Sequence, residues 1–579
     1  MSERIFIGVA WPYANGSLHL GQIAGAYLPA DIFARYHRIK GNEVLMVSGS
    51  DQHGTPITIK AEQEGKKPEE ITAGYHREFL ESWQKLGISF DLFTTTGTAN
   101  HAEVAQDIFL TLLKKGYTYK NIVSQAYCPK CQRFLPDRYI EGTCPYCSAP
   151  EARGDQCDAC GKPMNTAELI APRCRICGTT PVFKDSEHFF LKLSAFQNQL
   201  STWVEKQAHW RPNVKNFTMR YLKEGLRDRA ITRDIEWGIP VPVAGFEHKR
   251  LYVWFEAVIG YLSAAKEWAK TNGDVEKWRT FWEKDGKAKS YYFIGKDNIP
   301  FHTLIWPAML MGYNDNLNLP YDIPANEFLT IEGKKLSTSH NWAVWLPDYL
   351  SRYDPDPLRY ILSMKMPETG DSDFSWRELV QRNNDELVAT YGNLVNRVLT
   401  FVYSNFDERV PEHSKYNEIR KYLDLNNDLS ATNILDKSSM DVIKDAKEYL
   451  FREAGDRLAK CNFKQALLNI MEFAQKANQY LDRKSPWKVI KEDRQASADS
   501  LYIALYAISC LKTVLYPFLP FSSQKVHEFL GFTGNVEEAG WQPHPPKPGQ
   551  KLQEPHPLFT KLDDSLVEEE TKRLGQPSS

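Results

Sequence analysis

Arg4-Ile5-Phe6-Ile7-Gly8-Val9-Ala10-Trp11-Pro12-Tyr13-Ala14-Asn15-Gly16-Ser17-Leu18-His19-Leu20-Gly21-Gln22 is the stretch on which the fold turns. Its first seven residues, apolar after Arg4, have the length of a buried strand. A helical pattern follows over 22–39, carried by Ile23, Ala26, Ala30, Ile32, Phe33 and Tyr36, with Pro29 expected to kink it or to fall at a tolerated turn. Glu43-Val44-Leu45-Met46-Val47 is a second strand. Strand, helix and strand in this order make a βαβ unit, which implies a parallel sheet. The connecting turn carries Gly16 and Gly21, which let a ligand approach the backbone, and it opens onto a helix N-terminus whose free N–H groups suit phosphate. His19 adds a side-chain donor to the nucleotide's triphosphate. The turn is neither GxxxxGK[ST] nor GxGxxG.

A second unit lies far downstream: Tyr291–Ile294 as a strand, Phe301–Met311 as a helix and Phe328–Ile331 as another strand. Glu332-Gly333-Lys334-Lys335-Leu336-Ser337-Thr338-Ser339 then reads as a flexible loop whose lysines can reach a polyphosphate and steady developing charge. One nucleotide-binding fold split by an insertion fits this order better than two separate folds. The predicted fold class is α/β, a Rossmann-type parallel-sheet catalytic domain interrupted by a cysteine-rich insertion and followed by an all-α bundle. The boundaries are drawn at 1–115 and 226–325 for the two catalytic halves, 116–225 for the insertion and 326–380 for the loop domain. The helical domain is drawn at 381–545, where strand signals vanish and Leu387, Leu394, Val398, Leu467, Met471 and Leu505 recur at helical spacing. The Pro- and Lys-rich end, from about 543 into a tail over 546–579, is expected to be poorly ordered.

The chain has 579 residues, a formal charge of −2 and 42% hydrophobic residues. That supports several cores and excludes a blanket attraction to nucleic acid, though not a local basic patch, for which Arg377, Arg382 and Arg397 are the candidates. No run of about 18 apolar residues suggests a membrane span. The first residues run straight into a strand and lack a signal peptide's apolar stretch, so a cytoplasmic protein is expected.

Eight of the ten cysteines stand as CxxC pairs: Cys128/Cys131, Cys144/Cys147, Cys157/Cys160 and Cys174/Cys177. Two CxxC turns complete a tetrahedral zinc site of four thiolates, and a site closed by four sulfurs is structural rather than catalytic. Four pairs point to two zincs. The inner pairs 144/147 and 157/160 are placed to close one site, with 128/131 and 174/177 nested around it; sequential pairing is the alternative. Cys461 and Cys510 fall in helical patterns as buried thiols.

His19-Leu20-Gly21-Gln22 and Lys335-Leu336-Ser337-Thr338-Ser339 resemble the two signatures of class I aminoacyl-tRNA synthetases. Pro12–Gly16, Gly49–Pro56, Tyr252–Ala257, Phe293–Asp297 and Phe301-His302 look like the methionyl-tRNA synthetase family, from about residue 4 to 540 and including the CxxC insertion. The resemblance implies an enzyme that joins L-methionine to methionine tRNA, initiator and elongator alike, at the expense of ATP with Mg2+. It implies a methionine pocket of Ala10, Trp11, Tyr13, Trp254, Ala257, Tyr261 and His302, with Asp51 holding the ammonium. It implies His19, Gln22 and Lys335 in catalysis, and Gly16, Gly21, Lys296, Asp297, Lys334 and Ser337 with them around ATP. It implies Asn393, Arg397 and Trp487 at the anticodon. Gln22 stands where the family has histidine and Thr338 where it has lysine, so the usual lysine's role is not assigned to Thr338. Some relatives carry an extra C-terminal RNA-binding dimerisation domain; the last thirty residues are too few for one, so a monomer is expected.

Overall fold

The computed structural model describes every residue except 1, 137–138, 155–156, 158, 161–167, 339, 428–433 and 577–579. Ser339 therefore lies outside the described residues.

Arg4–Val9 forms a strand whose last five residues are buried. It pairs in parallel with Glu43–Ser50 on one side and Lys289–Gly295 on the other. Leu92–Thr95 and Ala325–Asn326 extend the two edges, also in parallel. The chain thus builds outward from its first strand in one direction, leaves, and returns to build the other way. The reversal lies between Arg4–Val9 and Lys289–Gly295, and the crevice beyond the carboxyl ends of strands at such a switch point is where doubly wound sheets bind ligands.

The first helix deviates from α geometry where the sequence pattern is regular. Leu20–Gln22 is one α-turn, Ile23–Tyr27 a π-turn, and Leu28–Ile39 an α-helix. Pro29 falls directly after the π-turn, inside the continuous run of helix, so the proline is taken up by a change of hydrogen-bond pattern and does not end the helix. The strand expected over 328–331 forms, as Leu329–Ile331, but does not rejoin the nucleotide-binding sheet. It pairs with Ser372–Phe374 and with Lys334–Lys335 in a separate three-stranded sheet. The sheet's actual return strand is the two-residue Ala325–Asn326, too short for a periodicity signal. The lysines consequently sit on a hairpin arm, turned at Glu332 and Gly333 with φ of 49° and 72°, and not in the open loop the sequence suggested.

The insertion leaves after the helix Ala99–Lys114 as a long antiparallel ribbon, Thr118–Cys128 against Val182–Leu191. A smaller sheet of Ile140–Thr143, Ala152–Arg153 and Ile170–Cys174 carries the knuckles. Downstream, Asn393–Asn405, Phe463–Lys484, Arg494–Leu515 and Pro520–Phe529 pack as a bundle. Arg494–Leu515 is apolar and long enough to cross a bilayer, but 94% of its most apolar window is buried by its neighbours. Cys461 and Cys510 are buried thiols.

The C-terminal stretch departs from the disorder expected of it. Leu552, Leu558, Phe559 and Leu566 are buried among its prolines, and Ser565–Arg573 is helical. Glu570 pairs with Arg352 and accepts a bond from the Tyr353 hydroxyl, while the Gly575 N–H donates to Asn341 O at 3.0 Å. Four well-spaced apolar residues outweigh the polar composition. The basic patch is also weaker than the sequence implied: Arg382 lies between Glu378 and Glu386, at 2.8 and 2.7 Å.

Candidate active site

A cavity of about 450 Å3 opens at the switch point. His19, Gly21 and Gln22 line one side and Lys335 and Leu336 the other, so the two distant segments share one cleft. The depth of the cavity is formed by Ala10, Trp11, Tyr13, Asp51, Trp254, Ala257, Tyr261 and His302, all eight expected of the amino-acid pocket. Gly16, Lys296, Asp297, Lys334 and Ser337 do not line it. Lys334 turns its ammonium over the Trp342 ring, 4.3 Å from the centroid. Ser337 exchanges main-chain hydrogen bonds with Trp342. Lys296 is tied to Glu327 at 2.7 Å and Asp371 at 3.1 Å beside the cavity.

The apolar end of the pocket is neutral by construction. His302 donates from Nδ1 to Asn298 O at 2.9 Å, so its Nε2 accepts from the Tyr261 hydroxyl at 2.8 Å. Burial holds the His302 imidazole down to about 4, which keeps it uncharged at neutral pH. Trp254 and Phe301 lie 4.5 Å apart at an interplanar angle of 35°. Such a polarisable, uncharged wall suits a thioether. Trp11 presses on two backbones: a Cβ on Gly49 or Gly260 would come within 2.3 or 2.6 Å of its ring.

The polar end is different. Asp51 follows the second strand and is 2% exposed. Its main chain is pinned to the first turn by Asp51 N–H to Pro12 O and Ala14 N–H to Asp51 O, at 2.8 and 2.9 Å. Sequence reasoning finds Asp51 but misses what lies behind it, namely His53, His101 and Glu256, all buried. Their signal is weak, since isolated histidines in helical or loop contexts carry no spacing pattern.

His19 is half-buried, its enclosed Nδ1 has no hydrogen-bond partner among the described residues, and desolvation holds its ring down to about 4. A neutral imidazole at the cavity wall fits a nucleotide oxygen. Gln22 is occupied: its Oε1 accepts the His19 N–H at 3.0 Å and fixes the turn. Lys335 brings the positive charge, 5.5 Å from the Phe328 ring centroid.

The cysteines assemble in the nested arrangement. Cys128, Cys131, Cys174 and Cys177 form one group and Cys144, Cys147, Cys157 and Cys160 the other. Sulfur pairs lie 3.4 and 4.0 Å apart in the first and 3.9 and 3.7 Å in the second. A tetrahedron of ~2.3 Å Zn–S bonds has edges of roughly 3.8 Å, so both sets fit zinc. Among the described residues these two sets are the groups of three or more ligand-type side chains gathered around one point.

In the bundle, Arg397 stacks its guanidinium over Trp487, 4.3 Å from the ring centroid. Asn393 stands one turn earlier on the same helix and is exposed.

Residues 5–399 match the family described as "tRNA synthetases class I (M)", and 435–578 the "anticodon binding domain of methionyl tRNA ligase". The chain belongs to the class I methionyl-tRNA synthetase family. A methionine–tRNA ligase of Dehalococcoides mccartyi is 60% identical over 575 residues, covering 99% of this chain and 100% of its own. One from Thermomicrobium roseum is 52% identical over 600 residues, covering 99% of each. The fold is shared with the Mycobacterium tuberculosis methionyl-tRNA synthetase solved with methionyl-adenylate, at a TM-score of 0.76 and 23% identity over 96% of this chain and 99% of that one.

Proposed function

We propose that the protein is a methionine–tRNA ligase. It activates L-methionine with ATP and passes the methionyl group to the 3′ end of initiator and elongator methionine tRNAs. The observation that carries this reading is the single cavity shared by His19, Lys335 and an uncharged thioether-sized pocket with one buried carboxylate. The near-full-length identity to ligases of that name supports it.

Asp51 takes the methionine ammonium, and Trp11, Tyr13, Trp254, Ala257, Tyr261 and His302, with Ala10, enclose the side chain. The methionine carboxylate then faces the nucleotide side. One of its oxygens attacks the α-phosphorus of ATP and pyrophosphate leaves. His19 donates to phosphate as a neutral imidazole, Gly21 keeps the backbone open, and Lys335 neutralises charge on the leaving group. Gln22 acts by holding the His19 turn. Catalysis of this kind is positioning plus charge neutralisation, without a covalent enzyme intermediate. Gly16, Asp297, Lys334 and Ser337 border the nucleotide region at a distance from the cavity. Lys296 joins once ATP competes with Glu327 and Asp371 for its ammonium. Mg2+ comes with the nucleotide. The terminal ribose hydroxyl of tRNA next attacks the methionyl carbonyl and AMP leaves, with Asn393, Arg397 and Trp487 reading the anticodon.

Cys128, Cys131, Cys174 and Cys177 would hold one structural zinc and Cys144, Cys147, Cys157 and Cys160 a second, with four thiolates at each site leaving no open position for chemistry. The enzyme acts as a cytosolic monomer.

ATP–pyrophosphate exchange, run with each amino acid in turn, tests the assignment. Exchange with methionine alone is expected. Exchange with leucine or valine would redirect the specificity, and none at all would mark a binding module with a dead site. Elemental analysis should find two zinc ions per chain.

A further inference from the structure

We propose that methionine enters in exchange for a proton: docking of its ammonium on Asp51 expels one proton from a buried cluster of Asp51, His53, His101 and Glu256. The proposal rests on the assignment of Asp51 to the ammonium made above.

Asp51 and His53 share the turn after the second strand, His101 lies in the helix Ala99–Lys114 and Glu256 in the short helix Val253–Glu256; they are 2%, 7%, 1% and 0% exposed, in the order Asp51, His53, His101, Glu256. Glu256 stands at their centre. Its two carboxylate oxygens are taken by His53 Nδ1 at 2.6 Å and His101 Nε2 at 2.9 Å. The His53 main-chain N–H donates to Asp51 Oδ1 at 3.2 Å. Among the described residues no lysine or arginine bonds to any of the four. The nearby charged groups are spent elsewhere. Arg233 donates to the carbonyls of Ala230 and Thr232, and Glu267 accepts from the Thr94 hydroxyl. The Trp237 ring closes over His53 edge-on, 5.6 Å between centroids.

Counting protons in this network leaves one to be placed. The Ser263 hydroxyl gives its single hydrogen to Gly260 O at 3.1 Å, so it must accept from His101 Nδ1 at 2.8 Å. With Nδ1 protonated, a second proton lies in the His101–Glu256 contact, whichever atom carries it, and that pair is neutral. His53 uses its Nδ1 hydrogen on the other Glu256 oxygen. Asp51 then remains as a carboxylate in an enclosed site without a cation. Such a charge is too costly to leave uncompensated, so a further proton resides on Asp51 or on His53 Nε2. The electrostatics of the site agree. Burial, with Glu256 adding to it, pushes Asp51 well above the usual carboxylate range. Glu256 in turn holds His53 above its ordinary value against the pull of burial. When the substrate ammonium reaches Asp51 it supplies the missing positive charge. The resident proton becomes surplus and leaves to solvent, so the charge around Asp51 is unchanged.

The sign of the pH dependence follows. Below the apparent value of the Asp51–His53 pair each binding event must displace a proton, so methionine affinity rises with pH by up to about tenfold per unit. Above it the proton is already gone and affinity levels off while the methionine amine stays protonated.

Titration calorimetry of the zinc-loaded enzyme with methionine, in buffers of different ionisation enthalpy between about pH 6 and 8, reads the exchange directly. The expected release approaches one proton per methionine at the acid end and falls as pH rises. The deaminated analogue 4-(methylthio)butanoate should release none. His53→Gln keeps a donor to Glu256 but removes one of the two sites that share the proton, so the midpoint of release should move downward in pH. Buffer-independent heats with intact methionine binding across the whole range would overturn the exchange while leaving the ammonium assignment standing. Asp51→Asn separates the two: wild-type methionine affinity in that variant would overturn the assignment itself and the exchange with it.

Discussion

Replacing Trp487 with alanine should separate the two halves of the reaction. Trp487 stands at a sharp corner: the long helix ends at Lys484, Ser485 adopts φ of 40°, and Pro486 opens a one-turn helix. At this corner the half-buried indole packs against the edge of the core and lies beneath the Arg397 guanidinium at 4.3 Å. Arg397 reaches Asp482 only weakly, at 3.4 Å, so it is held mainly by the ring. A base stacked on such a ring is worth ~1–3 kcal/mol, which converts to roughly 5- to 150-fold in kcat/KM for tRNA. Loss of the Arg397 contact adds ~0.5–1 kcal/mol, as for a cation–π pair at an exposed site. Methionine-dependent ATP–pyrophosphate exchange needs no tRNA and should stay within about twofold of wild type, a difference of less than about 0.5 kcal/mol. Trp487→Phe, which keeps a ring, should recover part of the aminoacylation. If exchange and aminoacylation fall together in Trp487→Ala, the tryptophan is a packing residue and the anticodon assignment fails.

Three further outcomes follow from the geometry. Lys335→Ala should lower kcat of exchange by about 100-fold or more, as loss of one charge-stabilising donor does, while methionine affinity measured without ATP stays unchanged; a weakened methionine affinity would show the hairpin shaping the wrong pocket. Asp31 lies buried between Arg35 and Arg359, at 2.9 and 2.7 Å, and despite the opposing cost of burial those guanidiniums hold its carboxyl at about 2. A carboxyl lowered in the folded state stabilises above its unfolded value near ~3.9, so acid should remove roughly 2–3 kcal/mol as pH falls from about 4 to about 2, and a denaturant midpoint flat over that range would refute it. Asp31→Asn should cost about 3–5 kcal/mol at neutral pH in the same assay, because two buried arginines lose their counterion.

What the sequence makes legible here follows from how local each signal is. The first βαβ unit, the knuckle pairs and the bundle all announce themselves by period or spacing, because neighbours in the chain are neighbours in space. The eight pocket residues come through the family likeness; period or spacing alone would read Trp254 and Tyr261 as ordinary core. The return strand Ala325–Asn326 has two residues and therefore no period, so the apolar run after it reads as the return strand although it belongs to another sheet. The charge network behind Asp51 draws His53, His101 and Glu256 from positions up to 203 residues apart, and no local pattern can encode it. The tail misleads for the opposite reason: its prolines dominate the composition, while Leu552, Leu558, Phe559 and Leu566 decide the packing.

Gly21 shows how the two distant segments are made to depend on each other. A Cβ there would lie 2.5 Å from Leu336 Cδ1 and 3.1 Å from His19 Nδ1, so the glycine is the space through which the lysine hairpin leans on the histidine turn. The His19 and Trp345 backbones bridge as well, tying the turn to the chain that follows the hairpin. Leu336 is a flexible side chain and can swing aside, so Gly21→Ala should leave overall stability within about 1 kcal/mol. The swing displaces Lys335 and the imidazole from each other, and misplacement by about 1 Å can cost on the order of 100-fold in rate. Exchange kcat should therefore fall roughly 10- to 100-fold in Gly21→Ala without loss of Tm or of methionine binding. Leu336→Ala placed in the same chain removes the atom that the new methyl strikes, and part of the rate should return. Wild-type exchange in Gly21→Ala, or a double variant no faster than the single one, would mean that hairpin and turn meet without acting as one site.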